Sequence, residues 1–294
     1  LPPKKAHLSR KQKLFLRKTA RKIWSFFEDF VRAEDNWLPP DNHQEHPVGR
    51  TAHRTSPTNI GLSLLSNLTA CDFGYITPGR CIERLNNTFE TLNRMERYRG
   101  HLYNWYDTQT LIPLYPLYIS SVDSGNFAGH LLTLHSGLEE LANRPVFEER
   151  FFDGLTDTWG IILDNIKGAV PLYMQRWRKQ LGIVCENLDS LTPYELKLRL
   201  DMTLAASEKL LEDLRGDGDE NAARWGARLV KQCRDALDDF CFMLPWTAEQ
   251  DFEEMRQSTA ELPSLGAVPT LLELAGLNSR LVSEMREREV SGTA

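Results

Sequence analysis

Apolar residues recur along this chain at helical spacing nearly throughout. Leu16, Ala20, Ile23, Phe27 and Phe30 fall at i, i+4, i+7, i+11 and i+14, with Arg17, Lys18, Arg21 and Lys22 opposite. The pattern predicts a first helix from about Ser9 to Ala33, apolar stripe buried and basic side solvated. Thr55-Ser56-Pro57-Thr58 reads as a second helix start, with a hydroxyl cap, proline in the first turn, and Ile60, Leu64, Leu65 and Leu68 as its inner face. Thr77-Pro78 opens a third through Ile82, Leu85, Phe89, Leu92 and Met95. Asp123 or Ser124 is expected to cap a fourth, carrying Leu131, Leu134 and Leu138. Further helices are expected near 146–168, 170–188, 193–214, 219–243, 248–260 and 269–288. They are separated by Gly168, Pro193, Gly216-Asp217-Gly218, Pro245 and Pro263.

Strand patterning is nearly absent; only Leu114 to Val122 offers a candidate for period-two alternation. The expected fold class is therefore all-α, with paired helices wound into a toroid or stack, and without a sequence repeat of fixed period.

Composition narrows the function classes. The 294 residues are 41% hydrophobic and 26% charged, enough for a substantial core, and the net charge of −6 argues against a dedicated nucleic-acid binder. Charge is uneven: residues 1–33 hold ten Lys/Arg against Glu28 and Asp29, while the other 261 carry 25 basic and 39 acidic groups. A basic helix, 1–33, leading into a helical domain, 34–294, is the expected organisation. Neither a membrane span nor a signal peptide is predicted, so the chain reads as soluble. Five cysteines at 71, 81, 185, 233 and 241, with no CxxC, fit neither a disulfide framework nor a zinc site and read as reduced thiols.

Candidate chemistry gathers in the first half. All seven histidines precede residue 136, and 98–127 holds seven of the 28 aromatics. The long loop 99–124 offers Tyr103, Asn104, Trp105, Tyr106 and Asp107, and runs into Asp123, Ser124 and Asn126. A second segment, NWLPPDNHQE, is stiffened by Pro39-Pro40 and presents Trp37, Asp41, Asn42, Gln44 and Glu45. A third, AHRTSPTN, adds Arg54, Ser56 and Asn59 beside a helix N-terminus. Aromatic faces among short amides, carboxylates and a guanidinium match a sugar, whose C–H faces stack and whose hydroxyls both donate and accept. Plainer roles stay open: Trp37 or Trp105 as core, Asp123 as a cap, Asp41 as a turn former, Arg54 in a structural ion pair. His43 and His46 beside Asp41 and Glu45 lack a third ligand by spacing, and His130 and His135 share no helix face, so no metal and no cofactor are expected.

The motifs WLPPDNHQE, HRTSPTNIGLSLLS, DFGYI, ERYRGHLYNWYDT and PLYISSVDSGNFAGHL, with Pro245-Trp246, closely resemble the middle, cyclizing domain of the cyclic β-1,2-glucan synthases, large bacterial inner-membrane enzymes. The likeness is dense from about Ile23 to Leu138 and thinner to about Leu277. It implies an (α/α)6-barrel fold acting on linear β-1,2-glucan, which is cleaved and closed into a ring with retained configuration. It also implies a glycosyltransferase domain before this one and a phosphorylase-like domain after it, at the cytoplasmic face of the inner membrane, with membrane contact only through the parent protein and no nucleic-acid partner. Such a barrel needs twelve helices and about ten are predicted, so the barrel is expected to be incomplete. The segments that resemble the source of the catalytic acid and its partner are expected beyond Ala294, leaving Glu45, Asp107 and Asp123 as substrate-positioning groups. The alternatives are a non-catalytic all-helical glycan-binding module and an inverting β-1,2-glucan hydrolase or phosphorylase.

Overall fold

A computed structural model describes residues 8–248 and 267–277. The described residues are mainly helical, as the patterning requires. Helix α1 (Arg10–Phe30) leads to two short strands, β1 (His43–Gln44) and β2 (Arg50–Thr51), then β3 (Arg54–Thr55), α2 (Pro57–Asp72) and α3 (Pro78–Arg94). A loop carrying β4 (Arg97–Tyr98), β5 (His101–Leu102) and β6 (Tyr106–Asp107) precedes α4 (Ser121–Ala142). Four helices follow: α5 (Arg150–Asn165), α6 (Leu172–Val184), α7 (Pro193–Gly216) and α8 (Glu220–Met243). The helix expected over 248–260 lies outside the described residues except for Ala248, and of the one expected over 269–288, residues 271–277 are described and helical.

Helix starts follow local chemistry. The Ser9 side chain accepts from Gln12 N–H while Gln12 returns a bond to Ser9, a capping box at the start of α1. Ser56 accepts from Asn59 N–H and Thr77 from Arg80 N–H, each followed by proline in the first turn. The fourth start differs from expectation: Ser120 caps α4, accepting from Asp123 N–H at 3.1 Å. Asp123 thus sits inside the first turn, its carboxylate free to bond elsewhere.

The strand candidate at Leu114–Val122 forms no strand. It returns over the loop, with Leu114 N–H donating to Trp105 C=O and Asn104 N–H to Tyr118 C=O, both at 2.9 Å. The strands that do form are two residues long, too short for any alternation to register in sequence. Antiparallel β3 and β6 pair Arg54 with Asp107 and Thr55 with Tyr106, fastening the long loop beside the start of α2.

One core fills the space among α5, α6, α7 and α8 around Trp159, Trp177, Leu200, Leu229 and Phe240. A second joins α2, α3, α4 and the loop through Ile60, Leu64, Leu85, Leu92, Tyr106 and Leu134. Helix α1 packs on α5 by its charged side, which was expected to be solvated, while Ala20 and Phe27 of the expected apolar stripe pack against Trp24, Ala70 and Tyr75. Arg21 is completely buried and Ile23 is 60% exposed. Arg21 bonds Glu28 at 2.9 Å and Thr158 at 2.8 Å and lies against the rings of Tyr75 and Trp225; Arg17 holds Asp157 at 2.8 Å and Lys18 holds Asp164 at 2.6 Å. A buried guanidinium is tolerable here because its donors meet fixed acceptors.

Candidate functional site

Helices α2 and α4 pack side by side with their N-termini at the same end, and the three polar segments meet there. Pro39 and Pro40 are buried, fixing the backbone that presents Asp41. Asp41 accepts from Arg54 Nη2 at 2.9 Å and Nε at 3.2 Å through one carboxylate oxygen. Asn42 donates to the same oxygen at 3.2 Å and Asn59 reaches the other at 3.5 Å. The Arg54 guanidinium lies 4.8 Å from the centre of the Trp105 ring. Ion pair and ring together hold this half-exposed arginine in one place, where an isolated surface pair would be loose.

Asp123 is the second node. Thr58 Oγ1 donates to it at 2.7 Å, and Asn126 Nδ2 donates to Thr58 at 3.2 Å. The Asn104 side chain is best oriented with its nitrogen donating to Asp123 at 2.9 Å and its oxygen accepting from Tyr118 at 2.6 Å and Trp105 Nε1 at 2.8 Å. Burial pushes the Asp123 carboxyl up, but hydrogen bonds from Ser120, Thr58 and Ser56 outweigh it and leave the group below its ordinary value. Asp107 behaves alike: burial raises it, while hydrogen bonds from the backbone and hydroxyl of Thr110 and the backbone of Gln109 bring it lower. Both are ionised acceptors at neutral pH, the opposite of what a general acid needs.

Around Arg54 a cavity of about 460 Å³ is lined by Asn42, Gln44, Arg50, His53, Arg54 and Asp107 among others. The structure thus brings together Asp41, Asn42, Gln44, Arg54, Asn59, Trp105 and Asp107 on one side, and Asn104, Asp123, Asn126 and the α2 cap Ser56 on the other, linked through Trp105. Ser124 lies half-buried in the first turn of α4, its N–H bonded to Ser120 C=O. Glu45 stands exposed on the loop joining β1 and β2.

Two expected aromatics are placed differently. Tyr106 has no exposed surface; its hydroxyl accepts from Tyr103 N–H and donates to Glu96 C=O, both at 2.7 Å, and Tyr103 packs edge-on to its ring. The half-buried Trp37 ring lies 6.0 Å from the Arg84 guanidinium on α3, and its carbonyl accepts from Thr88 at 3.1 Å. No open groove runs between these two rings, because one of them is wholly enclosed. Aromatic surface open to solvent in this stretch belongs instead to Tyr98, 50% exposed, Tyr115, 87% exposed, and Tyr118, 46% exposed. Sequence reasoning passed over these three, and also His53, although all four lie in the segments it singled out.

Among the described residues, no three His, Cys, Asp or Glu side chains are grouped to hold a metal ion, and no helix is long and apolar enough to cross a membrane. All five cysteines are free thiols.

Comparison with known proteins adds an independent line. No family model matches the chain. Over 152 residues, 51% of its length, the chain is 51% identical to the cyclic β-(1,2)-glucan synthase NdvB of Rhizobium meliloti (strain 1021). That match spans only 5% of the relative. A solved structure from Bacteroides fragilis NCTC 9343, provisionally described as a glucoamylase, overlaps 49% of this chain and 38% of its own at 15% identity. Its TM-score of 0.36 is too loose to carry an argument. The chain is therefore similar, over half its length, to a small part of a much larger glucan synthase.

Proposed function

We propose that this chain is the glucan-holding part of a cyclic β-1,2-glucan synthase, from the domain that closes linear β-1,2-glucan into a ring by retaining transglycosylation. The observation that carries the reading is the 51% identity over 152 residues to NdvB, a protein named for that product. The polar cleft supports it chemically. Arg54 supplies donors, the carboxylates of Asp41, Asp107 and Asp123 supply acceptors, and Asn42, Asn59, Asn104 and Asn126 supply both, which is the demand of a row of sugar hydroxyls. Trp37, Gln44, Glu45, Ser56, Tyr103, Tyr106 and Ser124 belong to the same assignment as supports or outer contacts of the cleft. In this reading 34–294 is the N-terminal portion of an (α/α)6 barrel and 1–33 the helix leading into it. Glycosyltransferase and phosphorylase-like domains of the same polypeptide are its partners, at the cytoplasmic face of the inner membrane.

Retention requires two carboxyl groups about 5–5.5 Å apart, one of them protonated before the bond breaks. Asp107 and Asp123, held below their ordinary values, suit hydroxyl binding, so acid and nucleophile are assigned to residues outside this set. Those same depressed values favour, as a second reading, a module that binds glucan without turning it over.

Calorimetry of the full chain with linear β-1,2-glucan, with a β-1,3-glucan as control, tests the proposal. Preferential binding of the β-1,2 chain, weakened about tenfold or more by Arg54→Ala, is expected. Absence of binding, or equal affinity in the variant, contradicts it. Ring formation by the full chain would reject the binding-only reading.

A further inference from the structure

His53 adjoins Arg54 on the wall of the same cavity. Its Nδ1 lies 2.8 Å from Asp35 Oδ1, and Asp35 is 8% exposed. The Thr108 hydroxyl donates to that same oxygen, and Thr108 N–H donates to the His53 carbonyl at 3.1 Å. Asn36 then ties the next turn down, donating to the carbonyls of Thr108 and Gln109, each at 2.9 Å. The imidazole is therefore clamped at one nitrogen by a buried, well-supported carboxylate. Gln109 Nε2 also approaches Nδ1, but at 3.5 Å, and the shorter contact to a charged acceptor decides the tautomer. In the neutral ring the proton therefore sits on Nδ1, and Nε2 carries a bare lone pair. The His53 side chain remains 42% exposed and lines the cavity, and Nδ1 is the nitrogen taken up by Asp35.

The cavity has a use for such an atom. The guanidiniums of Arg50 and Arg54 are donors only. Asp107, the carboxylate on this wall, already accepts at Oδ1 from Gln109 N–H, Thr110 N–H and the Thr110 hydroxyl at 2.8–3.0 Å, which leaves one oxygen, Oδ2, to serve a ligand. A sugar hydroxyl has a proton to give as well as lone pairs to fill, so a neutral acceptor next to Arg54 completes its bonding.

Resting on the glucan reading above, we propose that His53 Nε2 accepts a hydrogen bond from a glucose hydroxyl of the bound chain, with Asp35 as the positioning residue that fixes the ring and its tautomer. Two substitutions separate binding from mere support. Asparagine at 53 sets its amide nitrogen near the place of Nδ1 and keeps the clamp to Asp35, but has no atom at Nε2; glutamine reaches the Nε2 position and gives up the clamp. Calorimetry of the full chain with linear β-1,2-glucan should find His53→Asn folded, by circular dichroism, yet weakened about five- to tenfold, the loss of one hydrogen bond. His53→Gln should retain more affinity than His53→Asn. In the wild-type chain, the ¹⁵N resonance of Nε2 should move when glucan is added, a readout that stands even if the variants fold poorly. Full affinity in His53→Asn, or an unmoved Nε2 resonance at saturation, overturns this assignment and leaves the glucan cleft standing. A wild-type chain that binds no glucan overturns both.

Discussion

Replacing Tyr106 with phenylalanine removes one oxygen and keeps the ring. That oxygen accepts from Tyr103 N–H and donates to Glu96 C=O, both at 2.7 Å, from a side chain with no exposed surface. It joins the start of the long loop to its middle at the point where β6 pairs with β3. A buried donor or acceptor left without a partner costs about 1–3 kcal/mol. Glu96 is an exposed residue, which lets water take over at its carbonyl, so the amide of Tyr103 dominates and the expected loss is about 2 kcal/mol. For a chain above 150 residues that lowers the thermal midpoint by about 4–8 °C. Burial also pushes the Tyr106 phenol up to about 12, so the proton it donates is still present at pH 9 and the deficit should be equal at pH 7 and pH 9. Melting curves of both proteins by circular dichroism measure it. Because the ring faces the core, glucan affinity measured well below the midpoint should be unchanged. An unaltered midpoint, or lost affinity at full stability, would refute the reasoning that Tyr106 is a strut beneath the cleft and not part of its surface.

Two further outcomes are expected. Gly74→Ala should cost about 3 kcal/mol or more, read as a lowered urea midpoint, because Gly74 has φ +74° and a Cβ there would lie 2.0 Å from the carbonyl oxygen of Arg150 with only backbone to give way. Asp107 and Asp123 have folded-state values below the ordinary carboxylate range. Their contribution to stability is complete above about pH 4 and is lost as pH falls through those lower values. Asp123→Asn should therefore flatten the acid side of a plot of midpoint against pH; a curve of unchanged shape would count against the bonds drawn from Thr58 and Ser120.

What the sequence made legible was local. Proline after a hydroxyl residue located the starts of α2 and α3, since capping is settled within four residues. The cap of α4 was misplaced by three or four residues because Ser120, Asp123 and Ser124 are all competent, and the bond from Thr58 to Asp123 distinguishes them. The burial of the charged side of α1 was missed for a related reason. Hydrophobicity assigns Ile23 inward and Arg21 outward, and nothing local reveals that Glu28, Thr158, Tyr75 and Trp225 assemble a complete set of partners around a guanidinium. In the cleft, residue types were legible but not their division of labour. Trp37 and Tyr106 look alike in a motif, and only the pairing of β3 with β6 and the packing against α3 decide that one is enclosed and the other laid over Arg84. His53 went unremarked because its significance lies in Asp35, 18 residues away.

The central claim is that the joined ends of α2 and α4, with the loop pinned beside them, hold a β-1,2-glucan. A crystal structure of the chain with a linear β-1,2-glucan oligosaccharide tests it most directly. The account predicts glucose hydroxyls within hydrogen-bond reach of Arg54 and His53, with a sugar unit beside Trp105 or Tyr118. A glucan seated elsewhere on the molecule, with this cleft empty, would contradict it.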